Sequence, residues 1–256
     1  MMKKAILGIL ILILVSLLAA CGSGEASTAG KKGENVLKMA TSADFPPFES
    51  YDEEGNFIGF DVELAQAIAD ELGYELKIED MDFDGLIGSL QAKRVDIVLA
   101  GMSATEERSE NVDFSNEYHR SGEMFISKVE DDFKNLEELK GKVVGVQLGT
   151  IQEEGAQNLA DEYGFEVKKV DDASILIQEL NSNRIDVAYM DKTVAAGYIN
   201  SQGFVGFDDP TTSSPGMAIA LPKGSDKTEE VNEALKKLKE DGTLDKLKEK
   251  WLSEYE

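Results

Sequence analysis

The pattern Leu86-Ile87-x-x-Leu90-x-x-x-Arg94-Val95-Asp96-Ile97 recurs as Leu176-Ile177-x-x-Leu180-x-x-x-Arg184-Ile185-Asp186-Val187, at an offset of 90 residues throughout. Each copy runs from an amphipathic helix through a short polar turn into an apolar strand. A period this long does not describe a solenoid, which stacks short repeats in series. It predicts two similar α/β lobes. The first strand, Ile97 to Ala100, ends at Gly101, and the second ends at Met190-Asp191. A tip carrying Gly101 and Ser103 ahead of a helix offers N–H groups and a helix dipole to an anion. Arg108 adds a two-pronged donor that suits a carboxylate. If the two tips face each other, Arg108 and Ser103 grip the carboxylate of an amino acid and Asp191 its ammonium. The alternative is a plain strand–turn–helix, with Ser103 and Glu106 as a capping box and Arg108 on a solvated face.

The N-terminus sets the compartment. Lys3 and Lys4 precede an apolar run from Ala5 to Ala20 that ends Leu18-Ala19-Ala20-Cys21. Basic, apolar and small-residue parts in this order describe a secretory signal, and the run is short for a spanning helix. The cysteine directly after Leu-Ala-Ala resembles a bacterial lipobox, which implies cleavage before Cys21 and a lipid on Cys21. Residues 1–20 are expected to be a lipoprotein signal peptide. Residues 21–35, with no apolar period, are expected to be a flexible tether. The mature chain is expected outside the cytoplasm, held at the cell membrane by that lipid.

Cys21 is the only cysteine and His119 the only histidine. This removes disulfides, zinc sites of the His/Cys kind and a Ser-His-Asp triad. Neither a metal nor a cofactor is expected. Without the signal, 24 basic residues stand against 50 acidic ones, a net charge of −26. Such a surface repels nucleic acid and anionic membranes.

Strands and helices alternate along the remaining chain, which predicts parallel sheets with helices on their faces. Phe45-Pro46-Pro47-Phe48 is a stiffened loop, with one phenylalanine expected in the core and the other as a binding platform. Asp61 is expected to cap a helix with the stripe Val62, Ala65, Ile68, Ala69 and Leu72, ended by Gly73. Asp132 to Lys140 reads as a short acidic helix. Crossovers are expected at Tyr118 to Gly122 and at Ser213-Ser214-Pro215-Gly216, followed by a strand from Met217 to Leu221. Lobe 1 is then residues 36–118 and 220–256, and lobe 2 is 119–219. Two connecting strands make a hinge, with the ligand cleft beyond the strand ends.

Several runs, in order, are similar to one family: Phe45-Pro46-Pro47-Phe48-Glu49, Gly59-Phe60-Asp61-Val62, Asp82-Phe83-Asp84-Gly85-Leu86-Ile87, Ala100-Gly101-Met102-Ser103 to Arg108, Val112-Asp113-Phe114-Ser115, and Val144-Gly145-Val146-Gln147-Leu148-Gly149-Thr150. They resemble the polar amino-acid-binding proteins of ABC importers, over essentially the whole chain after Asn35. The resemblance implies an α/β, type II periplasmic-binding-protein fold of two lobes. It implies a monomer that is not an enzyme, closes over one free L-amino acid and delivers it to ABC permease subunits. The lipidated form is the usual arrangement in Gram-positive bacteria.

The resemblance also implies roles. Phe45 and Phe83 would sandwich the ligand side chain. Gly101 and Ser103 N–H groups, the Ser103 hydroxyl and Arg108 would hold the carboxylate, with Thr150 adding a contact from lobe 2. Asp191 and the Ala100 carbonyl would bind the ammonium. Basic-amino-acid binders often carry an Asp where this chain has Ser42. Asp44, Glu49, Asp61 and Gln152 could supply acceptors instead, and Gln147, unlike a lysine there, would not repel a cation. Gly145 to Gln152 looks most like arginine-type binders. A basic amino acid such as arginine, lysine or histidine is the expected ligand, and glutamine or another polar amino acid is the second. A dehydratase of prephenate or arogenate on the same fold is the remote third.

Overall fold

The computed structural model describes residues 35–212 and 214–255. The expected signal peptide, Cys21, the expected tether up to residue 34, and Ser213 of the expected return crossover lie outside the described residues.

In chain order the elements are β1 (Val36–Thr41), β2 (Ser50–Tyr51), β3 (Phe57–Ile58), α1 (Phe60–Leu72), β4 (Glu75–Asp80), a 3-10 turn (Phe83–Gly85), α2 (Leu86–Gln91), β5 (Ile97–Val98), α3 (Glu106–Asn111) and β6 (Val112–Phe114). There follow β7 (Glu123–Ser127), a 3-10 turn (Leu136–Leu139), β8 (Val143–Gln147), α4 (Ile151–Tyr163), β9 (Glu166–Val170), α5 (Ala173–Asn181), β10 (Val187–Asp191), α6 (Lys192–Gln202) and β11 (Val205–Asp208). The chain ends with β12 (Ala220–Pro222), α7 (Lys227–Glu240) and α8 (Thr243–Trp251).

The strands form two five-stranded sheets, ordered β4-β1-β5-β12-β6 and β11-β7-β10-β8-β9, beside the small β2-β3 hairpin. In the first, β4, β1 and β5 are parallel and β12 runs against β5 and β6. In the second, β9, β8 and β10 are parallel, and β7 runs against both β10 and β11. The chain leaves the first sheet after β6 and returns to it at β12.

The repeated sequence is repeated structure down to single hydrogen bonds. Lys93 and Asn183, 90 residues apart, are the two non-glycine residues with positive φ among the described residues, at 54° and 56°. Each turns the chain sharply out of its helix, a conformation most side chains avoid. The Asp96 carboxylate then accepts from the Lys38 N–H at 2.9 Å, and the Asp186 carboxylate from the Val143 N–H at 2.8 Å. In each copy the aspartate clamps the start of the neighbouring strand, which accounts for an acid at that place in both.

Helix α1 buries Phe60, Leu64, Ala65, Ile68 and Ala69, and its end is closed by Gly73 at φ 75° with its N–H on the Asp70 carbonyl. In the second sheet Tyr189 stacks on Phe125 at 4.0 Å between ring centres, and Phe207 covers Phe125 from 5.1 Å. Among the described residues no helix is long and apolar enough to cross a membrane.

Several local expectations differ from the structure. The first strand pairs only at Ile97–Val98, because the chain peels away toward the site. Asp132 to Lys140 forms no α-helix, only the 3-10 turn at Leu136–Leu139, where Asn135 accepts from the Glu138 N–H. Met217 bridges Ser103 and His119, and the paired strand begins later, at Ala220. Helix α3 is capped by Thr105, which accepts from the Arg108 N–H at 3.1 Å, so Ser103 and Glu106 make no capping box. Asp61 is not a cap: α1 starts after Gly59, and the aspartate side chain turns inward.

Candidate functional site

A cavity of about 380 Å³ is walled by residues beyond the C-terminal ends of β1, β5, β8 and β10. That is where ligands enter open α/β sheets. From the side of the first sheet come Ser42, Asp44, Phe45, Glu49, Phe83, Ala100, Gly101, Ser103, Arg108 and Met217. From the side of the second come Gln147, Thr150, Ile151, Gln152 and Asp191. Twelve of the thirteen residues singled out for the ligand in the sequence therefore share one wall; Asp61 stands behind it.

Arg108 is fixed at both ends of its guanidinium. One Nη donates to the Ser103 carbonyl at 2.9 Å and the other to the Gly149 carbonyl at 2.9 Å. The second bond joins the two sides of the cavity. The guanidinium also lies 5.4 Å from the centre of the Phe83 ring, a cation–π contact. Burial lowers its pKa to about 10, which leaves it charged at neutral pH. The alternative reading, with Arg108 on a solvated face of α3, is thus not what the structure has.

Gly101 and Gly149 are required where they stand. Gly101 has φ 54°, and a Cβ there would meet the Phe45 ring at 2.9 Å. Gly149 has φ 77°, and a Cβ would meet the Asp84 Cβ at 2.9 Å, from the other side of the cavity. Phe45 is therefore free to form the wall while Phe48 is fully buried. The Gly101 N–H, however, donates to Asp61 Oδ2 at 2.8 Å, so it is not a spare donor for an anion.

Opposite Arg108, Asp191 ends β10 and caps α6. Its Oδ1 accepts from the N–H groups of Thr193 at 2.8 Å and Val194 at 3.3 Å, and from the Ser121 hydroxyl at 3.1 Å. All three bonds fall on one oxygen, which leaves Oδ2 for the cavity. Burial raises the Asp191 pKa to about 6, opposed by those hydrogen bonds.

The remaining polar residues hold one another. The Thr150 hydroxyl donates to the Gln147 carbonyl at 2.7 Å and accepts from the Glu153 N–H at 3.1 Å. It caps α4 and offers a ligand its backbone rather than its hydroxyl. Asp44 accepts from Gln147 Nε2 at 3.0 Å and from the Ala173 N–H, two more ties across the cavity. Burial raises Asp44 to about 6. Gln152 donates its amide to the buried Glu123, which turns the amide oxygen away from that partner. Burial first, and Asp191 second, raise Glu123 to about 8.

Ile151 and Met217 on the wall, and Glu123 behind it, were not read from the sequence. Glu123 heads the otherwise apolar strand β7, and a lone acid opening such a strand is the signal that could have pointed to it. Among the described residues no cluster of His, Cys, Asp or Glu is placed to hold a metal ion.

Comparison with known proteins gives this geometry a context. Residues 37–254 match the family model of the bacterial extracellular solute-binding proteins, family 3. The chain is 45% identical over 256 residues to the arginine-binding extracellular protein ArtP of Bacillus subtilis (strain 168), covering 98% of this chain and 99% of that one. Its fold is similar to that of an ancestral arginine-binding protein bound to arginine, at TM-score 0.81 and 42% identity over 86% of this chain and 99% of that one. An ancestral arginine-binding protein bound to glutamine matches at TM-score 0.80 and 43% identity, over 85% and 97% of the two chains. The chain belongs to the bacterial extracellular solute-binding proteins, family 3.

Proposed function

We propose that this chain is an extracytoplasmic receptor that closes over one free basic amino acid, arginine first, and delivers it to an ABC importer. The observation that carries this reading is the pairing of Arg108 with Asp191 across one cavity, with two further acids, Asp44 and Glu49, on the same wall. The first pair suits the carboxylate and ammonium of any α-amino acid. The extra acids suit a positive side chain, and Phe45 and Phe83 offer it flat apolar faces. The similarity to proteins named for arginine supports the same ligand.

Residues 36–118 with 220–256, and residues 119–219, act in this reading as two lobes. Arg108 to Gly149 and Asp44 to Gln147 are their closing contacts. The Cys21 lipid would tether the receptor beside its permease, as in Gram-positive bacteria, and the receptor would work as a monomer. Binding rather than catalysis is proposed, since the relatives are binding proteins. Glutamine is the second ligand, supported by the similarity to the glutamine-bound ancestral protein.

A ligand that binds only the folded state raises the melting temperature. At about 100 times Kd it adds about 2.7 kcal/mol, roughly 5–10 °C for a domain of this size. Scanning the twenty amino acids should give the largest rise with arginine. No rise with any of them would refute the receptor reading, and a rise confined to glutamine would move the assignment to the second ligand.

A further inference from the structure

Glu49 is fully buried on the cavity wall, and among the described residues neither of its carboxyl oxygens has a hydrogen-bond partner. Asp61, also fully buried, lies beside it, its N–H donating to the carbonyl of Phe48, the residue before Glu49, at 2.9 Å. Asp61 Oδ2 accepts from the Gly101 N–H and from the Tyr118 hydroxyl, each at 2.8 Å, while Oδ1 has no such partner. Among the described residues no donor, charged or neutral, reaches either Glu49 oxygen, so two full charges side by side in this buried space would stand uncompensated. One proton held by the two acids removes that cost.

We propose that the Glu49–Asp61 pair holds one proton in the ligand-free protein and releases it to solvent when a cationic side chain enters the cavity. Binding would then exchange a proton for the ligand's positive charge, and the pair would distinguish cationic from neutral amino acids. This rests on the reading of the cavity as an amino-acid site.

The exchange follows from charge balance in a buried space. A cation beside Glu49 favours the ionised acid, so the proton leaves the carboxyl and both oxygens become acceptors. A neutral side chain offers no such compensation, and the proton stays. The groups facing the pair support one shared proton. Asp44 adds a like charge from the same loop. Tyr118, whose pKa is raised well above the ordinary value by burial, donates its hydrogen bond and stays neutral. His119, packed on Phe48 and lowered to about 4 by burial, carries no positive charge at neutral pH. Burial pushes Glu49 well above the usual carboxylate range and raises Asp61 to about 6, the direction expected of two buried acids that share a proton.

The test is titration calorimetry of the mature protein at pH 7 in two buffers of different ionisation enthalpy. The buffer dependence of the heat counts the protons released. L-arginine should release about one proton per site in the wild type. A neutral amino acid that stabilises the protein should release close to none. Glu49→Gln and, separately, Asp61→Asn should bring the arginine value close to zero. Arginine binding without proton release in the wild type would overturn the proposal, whichever variants fold. So would full release retained in a folded Glu49→Gln. Absence of binding by every amino acid would instead overturn the receptor reading.

Discussion

Replacing Arg108 by alanine is expected to abolish arginine binding while the protein stays folded. The guanidinium is the one cation on the cavity wall among the described residues. Its two anchoring bonds go to the carbonyls of Ser103 and Gly149, which aim it without neutralising it. A ligand carboxylate would thus meet a full positive charge held in place. Removing one partner of a buried ion pair costs about 3–5 kcal/mol, hundreds- to thousands-fold in affinity. Stability should change far less, since each lost carbonyl bond is worth about 1 kcal/mol net. Calorimetry and a thermal melt separate the two effects. Arg108→Lys keeps the charge and loses the fork, so it should recover only part of the affinity. A loss of less than tenfold in Arg108→Ala would return Arg108 to a purely structural strut.

The second large effect belongs to Asp191→Asn. The amide keeps an oxygen where Oδ1 now accepts from Thr193, Val194 and Ser121, so the start of α6 should survive. What disappears is the negative charge facing the ligand ammonium. Affinity for arginine should fall on the order of a hundredfold, by the loss of one charge from a desolvated pair.

A pH profile sharpens the test. Burial holds Asp191 near pKa 6. An ammonium partner favours the ionised form and lowers that pKa in the complex. The affinity contribution is therefore full above about pH 6 and lost as pH falls through it, about tenfold per unit. Wild-type affinity should fall more steeply below pH 6 than that of Asp191→Asn. Closure at saturation, read by X-ray scattering, should persist in the variant, because Arg108–Gly149 and Asp44–Gln147 do not involve residue 191. Parallel profiles for the two proteins would remove Asp191 from the ammonium site.

The repeat was legible because it is local. Helix, turn and strand lie within a dozen residues, and Asp96 and Asp186 reach the next strand's backbone in the same way. Helix α4 is bounded as locally, from Ile151 to Tyr163, since Thr150 caps it and Gly164 ends it with φ 75°. Strands β6, β7 and β11 are not legible in the sequence, for the opposite reason. Each is three to five residues long and pairs with segments remote in sequence, so no local period marks it.

The site divides along the same line. Phe45, Phe83 and Asp191 stand at strand tips or turns that the motifs mark, and Arg108 on the short helix that follows one. The state of each donor and acceptor was not legible. Gly101 gives its N–H to Asp61, 40 residues away, and Thr150 spends its hydroxyl on its own turn. Asp61 has a helix-cap position in the sequence, and only the packing of Tyr118 and Gly101 against it shows an inward role. The Glu123–Gln152 contact joins residues 29 apart on different elements, and no motif contains both.

The most direct test of the central claim is a crystal structure of the mature protein grown with L-arginine. The expected result is one arginine in the cavity, its carboxylate about 2.7–3.2 Å from the Arg108 Nη atoms, its ammonium on Asp191 Oδ2, and its side chain running between Phe45 and Phe83 toward Glu49. Arginine bound elsewhere, or lying in the cavity with its carboxylate away from Arg108, would contradict it.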